Sequence, residues 1–321
     1  MTFRRSFLAS LALPDLVHDA KAQDGRPIRL VVAFPAGGPT DVIARLIAER
    51  MSRALNQSVI VENRGGANGN IAAEHVAKAE ADGSVLLYNT SSLAISQALY
   101  RRLSYDLQRE LTPVALTASA PSLLVVNNAL PLRSPADFIA WARANSGRIS
   151  YGSAGIGNVS HLQIVMMLRH IGAEATHVPY RGTAAAMTDV AAGNIQFMAD
   201  AFNTAFPQAR DGLVRAMAVT SVQRAPLLPD VPTMSEGGLL PEGSDTGIWQ
   251  GIMAPARTPP AAIARLNAAV NTALAEPELR ARLAAMGARP AGGPAEAYAA
   301  YLASEITLWS RLVQESGATA E

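Results

Sequence analysis

Two glycine-rich turns carry the residues of this chain best suited to holding a small anion. The first is Pro35-Ala36-Gly37-Gly38-Pro39-Thr40-Asp41, which follows the apolar run Ile28 to Phe34. Its glycines allow close backbone approach, and a helix starting there offers unpaired N–H groups and a positive dipole end. The plain alternative is a tight turn capped by Thr40 or Asp41. Asp41 gains roughly 0.3 to 1 kcal/mol beside a helix N-terminus but repels a carboxylate at close range, so backbone or water-bridged contacts are expected. The second turn is Gly152-Ser153-Ala154-Gly155-Ile156-Gly157-Asn158-Val159-Ser160, again between a strand and a helix, with His161 in the helix's first turn. Thr90 and Ser91 lie in the polar segment that follows a third strand, Arg181 follows Val178-Pro179-Tyr180, and Asp200 closes the run from Ile195. The expected ligand-binding set is therefore Phe34, Ala36, Gly37, Gly38, Thr40, Asp41, Thr90, Ser91, Ser153, Ala154, Gly155, Gly157, Asn158, His161, Arg181 and Asp200.

Other chemistries find less support. The second turn resembles a dinucleotide fingerprint with Ser160 in its third glycine position, but Glu174 precedes the next strand instead of closing it. Tyr151 occupies the first glycine position of a G-x-S-x-G elbow, so a serine nucleophile is not indicated. The histidines His18, His75, His161, His170 and His177 show no metal spacing. Cysteine is absent, which excludes disulfides and thiolate sites. Lys21 and Lys78 are the only lysines, leaving 25 of the 27 cationic residues as Arg, so a Schiff-base enzyme has little to work with. No cofactor, no metal and no catalytic residue is expected.

The elements that position these residues alternate β-like runs with amphipathic helices, the pattern of parallel sheets with crossover helices. Ile28 to Phe34, Val59 to Val61 and Val85 to Tyr88 read as strands. Thr40 reads as the cap of a helix with Val42, Ile43, Leu46, Ile47 and Met51 on one face. A second set comprises Leu123 to Val126, a helix opened by Ser134-Pro135, Ile149 to Gly152, a helix from His161 to Ile171, Thr176 to Pro179, Ile195 to Ala199 and Ala216 to Thr220. Pro226 to Pro232 and Gly237 to Gly247 read as surface connections, and helices return from Pro260 onward. The same strand–turn–helix unit thus occurs twice, with its turn at the strand end where open parallel sheets bind ligands.

A chain of 321 residues suits two cores better than one, and 49% hydrophobic with 17% charged residues is a globular composition. A formal charge of +1 provides no basic stripe for nucleic acid and no polybasic patch for anionic lipid. Arg4 and Arg5, the apolar Phe7 to Leu13 and Ala20-Lys21-Ala22 read as an export signal over residues 1–22, although Asp15, His18 and Asp19 are unusual within one. No later apolar run reaches the roughly 18 to 20 residues of a membrane span. A periplasmic protein is expected.

These segments, in this order, resemble the Bug family of substrate-binding receptors of tripartite tricarboxylate transporters. Similar motifs are Pro27 to Arg45, Val61-Glu62-Asn63-Arg64 through Asn70, Gly152 to Leu162, Val178 to Gly182, Leu227 to Thr233 and Trp249 to Pro260. The resemblance implies an α/β, two-lobed periplasmic binding protein fold of type II, each lobe a mostly parallel sheet flanked by helices, with two hinge crossovers. Lobe 1 would comprise residues 24–124 and 250–321, and lobe 2 residues 125–249. It implies a monomer that captures a small carboxylate between the lobes and delivers it to membrane subunits, the ligand being held mainly by backbone N–H groups, hydroxyls and water. Asn158 departs from the Ser or Thr frequent at its place. A secreted hydrolase and a cytoplasmic small-molecule sensor sharing the fold are the alternatives.

Overall fold

The structure is a computed structural model describing residues 25–320. The expected export signal, residues 1–22, lies outside them. The chain begins β1 (Ile28–Val32), α1 (Pro39–Leu55), β2 (Val59–Asn63), α2 (Asn70–Ala77), β3 (Val85–Thr90) and α3 (Ser92–Leu99). After α4 (Leu107–Glu110) come β4 (Leu111–Ala120) and β5 (Ser122–Asn127), separated by Pro121 alone. Next are α5 (Pro135–Ala144), β6 (Ser150–Ser153), α6 (Val159–Ile171), β7 (Thr176–Pro179), α7 (Thr183–Ala192), β8 (Phe197–Ala201), α8 (Phe202–Arg210) and β9 (Val214–Val219). The chain closes with β10 (Ile248–Pro255), α9 (Pro260–Ala275), α10 (Pro277–Ala285), β11 (Arg289–Pro290) and α11 (Ala295–Ser316).

Two mixed sheets result, ordered β11-β4-β10-β3-β1-β2 and β7-β6-β8-β5-β9. The expected strand–turn–helix units supply the parallel pairs β1–β2, β1–β3, β6–β7 and β6–β8. The remaining pairings are antiparallel and involve β4, β5, β9, β10 and β11. Sheet membership changes at Pro121, so the expected lobe boundary between residues 124 and 125 falls inside β5, and the one between 249 and 250 falls inside β10.

Two packing expectations need correction. Val42 is 38% exposed, because the buried stripe of α1 runs through Ile43, Ile47 and Met51. The segment 237–247 is not all surface: Leu239 and Leu240 are buried, packing into the core beneath α5 and α6. Another apolar cluster joins the two sheet layers, since Val159 and Leu162 of α6 pack with Leu93, Leu99, Trp249 and Tyr298. Among the described residues, no helix is long and apolar enough to cross a membrane.

An ion cluster ties α1 to α10. Arg50 is 2% exposed, lies 3.0 Å from Glu276 and 3.5 Å from Glu278, and donates to the Leu46 carbonyl at 3.0 Å. Arg50→Ala removes both the charge and the packed stem, but leaves carboxylates that water can reach. A loss of about 2 kcal/mol in urea unfolding is expected. A change below about 0.5 kcal/mol, the range of ordinary surface substitutions, would show that the cluster is effectively solvated.

Candidate functional site

Parallel strands end on the same edge, and each sheet gathers its expected site residues there. The first sheet collects Phe34 to Asp41 after β1, residues 64–69 after β2, and Thr90 and Ser91 at the end of β3. The second collects Ser153 to His161 after β6, Arg181 after β7, and Asp200 near the end of β8.

In the first set the helix cap is neither Thr40 nor Asp41. Gly38 is the N-cap of α1, Pro39 occupies the first turn, and no side chain caps the helix. Proline suits that position because its missing N–H would lack an intrahelical partner anyway. Asp41 instead staples the turn from below, with only 2% of its surface exposed. Its carboxylate accepts Gly37 N–H at 2.9 Å, Arg45 Nε at 3.0 Å and Asn63 Nδ2 at 2.8 Å. Asn63 Nδ2 also donates to the Phe34 carbonyl at 3.0 Å, so one amide fixes both ends of the turn. Burial pushes the Asp41 carboxyl up, but the hydrogen bonds from Arg45, Gly37 and Asn63 and the charge of Arg45 outweigh it, holding the group below the usual carboxylate range. With Asp41 occupied, Gly37 and Ala36 exposed and Gly38 half-buried, the turn presents main chain to solvent.

Thr90 and Ser91 are both buried. Thr90 Oγ1 lies 2.9 Å from Ser92 Oγ, which donates to the Asn68 carbonyl at 2.9 Å, so Thr90 braces the neighbouring loop. Ser91 Oγ has no partner among the described residues.

The second turn is bonded chiefly to itself. Ala154 N–H donates to Ser160 Oγ at 3.0 Å, Gly155 N–H to Ser153 Oγ at 3.1 Å, and Gly157 N–H to His161 Nδ1 at 3.1 Å. Asn158 caps α6 by accepting from Ser160 N–H at 3.0 Å, a task that an Asn performs as well as Ser or Thr. Ala154, Gly155 and Gly157, expected to contact ligand, thus have their N–H groups engaged by Ser160, Ser153 and His161. Ser153 Oγ lies 2.6 Å from His177 Nε2, and the His177 ring stacks on His161 with centroids 3.9 Å apart and on Tyr151 at 5.0 Å. This spacing matches a nucleophile and base, but Ser153 is fully buried and its hydroxyl is engaged by Gly155. The pair acts as a brace.

His161 ties the turn to pH. Because Nδ1 accepts from Gly157, its proton must sit on Nε2, and a second proton would break that bond. Burial first, then the neighbouring His177, push its pKa down to about 4. A depressed histidine pKa means that the fold favours the neutral form, so stability is full above the unfolded value of about 6.5 and declines as pH falls toward the folded value. His161→Gln keeps an acceptor for Gly157 without titrating. Its melting temperature should fall less than that of the wild type between about pH 6.5 and 4. Parallel curves would show that His161 does not govern the turn.

The second sheet also contains a helix start that the sequence left unread. Gly182, with φ of 102°, is the N-cap of α7 and no side chain caps the helix. Arg181 is exposed beside it. Asp200 is buried, which raises its pKa, while hydrogen bonds from Thr204, the Ala201 N–H and Thr183 act the other way. It lines a groove of about 520 Å³ with Thr183, Ala184, Met187 and Thr204. Residues that the sequence missed include Arg45, Asn63, Ser92, Ser160, His177 and Thr183. Arg45, four residues after Asp41 in α1, was legible as a helix ion pair. The others had no local signal, since their partners lie in distant segments or across a turn.

Among the described residues, no group of three His, Asp or Glu could hold a metal ion. Residues 43–318 match the family described as "Tripartite tricarboxylate transporter family receptor". The chain belongs to this family. A relative described as Protein BugT, from Bordetella pertussis, is 35% identical over 301 residues, covering 93% of this chain and 92% of its own. Among solved structures, the R. palustris protein Rpa4515 with adipate has a TM-score of 0.80 at 36% identity, covering 92% of this chain and 99% of its own. MatC from Rhodopseudomonas palustris with bound malate has a TM-score of 0.75 at 34% identity, covering 90% and 99%. This receptor therefore has the two-lobed periplasmic binding protein fold, and its family and neighbours are solute-binding proteins.

Proposed function

We propose that this receptor captures a small carboxylate between its lobes in the periplasm, as a monomer, and hands it to the membrane subunits of a tripartite transporter. The observation that carries this reading is that α1 and α7, at the strand ends of the two sheets, each start on a glycine with no capping side chain. These two N-termini, taken one from each sheet although α2, α3 and α8 also start without a capping side chain, supply N–H donors and dipole ends to an anion without requiring a buried cation. Arg181, exposed beside the start of α7, adds a solvated positive charge. The internally bonded second turn acts as a rigid wall instead of the main donor. Adipate and malate in the related structures support a dicarboxylate of similar size.

The lobes proposed are residues 24–124 with 250–321, and 125–249. Sheet membership supports moving the first boundary to Pro121. Export would follow cleavage after Ala22, and intact-mass measurement of periplasmic protein starting at Gln23 would support it.

The test is titration calorimetry of residues 23–321 against adipate, malate and a panel of aromatic and amino acids. Saturable one-to-one binding of a carboxylate is expected. Hydrolysis of a bound ester or amide, or no binding across the panel, would overturn the reading.

A further inference from the structure

The second glycine turn does not rest on its own lobe alone. Gly157 has φ of 71°, in the left-handed region. A Cβ there would stand 2.3 and 2.6 Å from the two methyl carbons of Leu99, at the end of α3 in the other sheet's layer. Real side chains do not approach so closely, so the isobutyl group of Leu99 fills the space that any residue but glycine would need. Leu99 is itself held firmly. It is 1% exposed, and its carbonyl accepts the N–H of Ala320 at 2.8 Å, bringing the C-terminal tail against α3. The first turns of α6 continue the contact, with Val159 and Leu162 in the same apolar cluster as Leu99. Further along, Arg169 of α6 lies 3.4 Å from Glu315 of α11.

We infer that Leu99 is a positioning residue of the ligand site: it seats the Ser153 to Gly157 turn from the opposite lobe by packing against Gly157. The inference deepens the carboxylate-binding reading and rests on it for its functional consequence. Gly157 is then gripped twice, by His161 from its own helix through the N–H and by Leu99 from the other lobe through the Cα. Any movement that withdraws α3 releases one of the two grips, so the geometry of the turn and the separation of the lobes change together.

The decisive variants are Leu99→Ala, Gly157→Ala and their combination, with Leu99→Val as a milder replacement should Leu99→Ala fail to fold. In the ligand-free protein, amide hydrogen exchange at Gly157 should rise about tenfold in the Leu99 variant while the amides of β6 change little. With adipate and malate as probes, Leu99→Ala should weaken binding about tenfold. Gly157→Ala should weaken it about a hundredfold in the wild-type background but only about tenfold beside Leu99→Ala, where the space has been opened. Unchanged exchange at Gly157 in a folded Leu99 variant, or losses that simply multiply, would overturn the inference. If the wild type binds neither probe, the carboxylate reading fails for these ligands, while the exchange measurement still decides the role of Leu99.

Discussion

Asp41→Ala should cost about 3 kcal/mol in urea unfolding and weaken carboxylate binding at least about tenfold. The stability loss arises because Gly37 N–H, Arg45 and Asn63, none of them fully buried, all donate to the buried carboxylate, so three hydrogen bonds of about 1 kcal/mol each are lost together. Arg45 is 52% exposed and can return to water, which keeps the loss below that of a fully buried charge. The affinity loss arises because the Gly37-Gly38 turn ahead of α1 would lose its anchor. Asp41→Asn retains one acceptor and should fall between. Since the Asp41 carboxyl is held below its ordinary value, its contribution is present above about pH 3.9 and is lost as pH falls through the folded value. A loss below about 1 kcal/mol, no more than one net hydrogen bond, would mean that the turn holds its shape without the staple.

Gly287→Val should produce a comparable or larger loss of stability, about 3 to 4 kcal/mol. Gly287 has φ of 72°, and a Cβ there would lie 2.2 Å from Cδ1 of Phe202, the first residue of α8. Phe202 N–H donates to the Pro121 carbonyl at 3.0 Å, so the clash falls beside the point where the chain passes between sheets. A β-branched side chain at positive φ adds strain that rearrangement of Phe202 cannot relieve. Gly287→Ala, with the same clash and less strain, should lie between Val and the wild type. Equal melting temperatures for all three would show that Phe202 moves aside at no cost.

Much of this architecture can be read from the sequence because turns and short apolar runs have local causes. Gly37 and Gly157 adopt positive φ where their turns need it, and Pro39 marks the start of a helix. Strands β4 and β10 were harder to read. β4 is Leu-Thr-Pro-Val-Ala-Leu-Thr-Ala-Ser-Ala, and β10 carries Gln250 and Gly251 at its centre, so neither shows strand composition or alternation. Their pairing with each other and with β3 holds them in place, a tertiary cause. The site shows the same division. Residue types marked Asp41 at a helix start and Thr90, Ser91 and Ser153 near strand ends as polar groups, but could not reveal that all four are buried. The start of α7 carries little local signal, because Thr183-Ala184-Ala185-Ala186 has no apolar stripe and only Gly182 announces it.

In the proposed binding mode the uncapped starts of α1 and α7, one from each sheet, hold one carboxylate ligand. A crystal structure of residues 23–321 with the tightest acid from the calorimetric panel tests this most directly. Carboxylate oxygens are expected within about 2.7 to 3.2 Å of main-chain nitrogens at the start of α1 and of α7, or joined to them through a single ordered water. A ligand bound with full occupancy elsewhere, touching neither helix start, would rule out this binding mode.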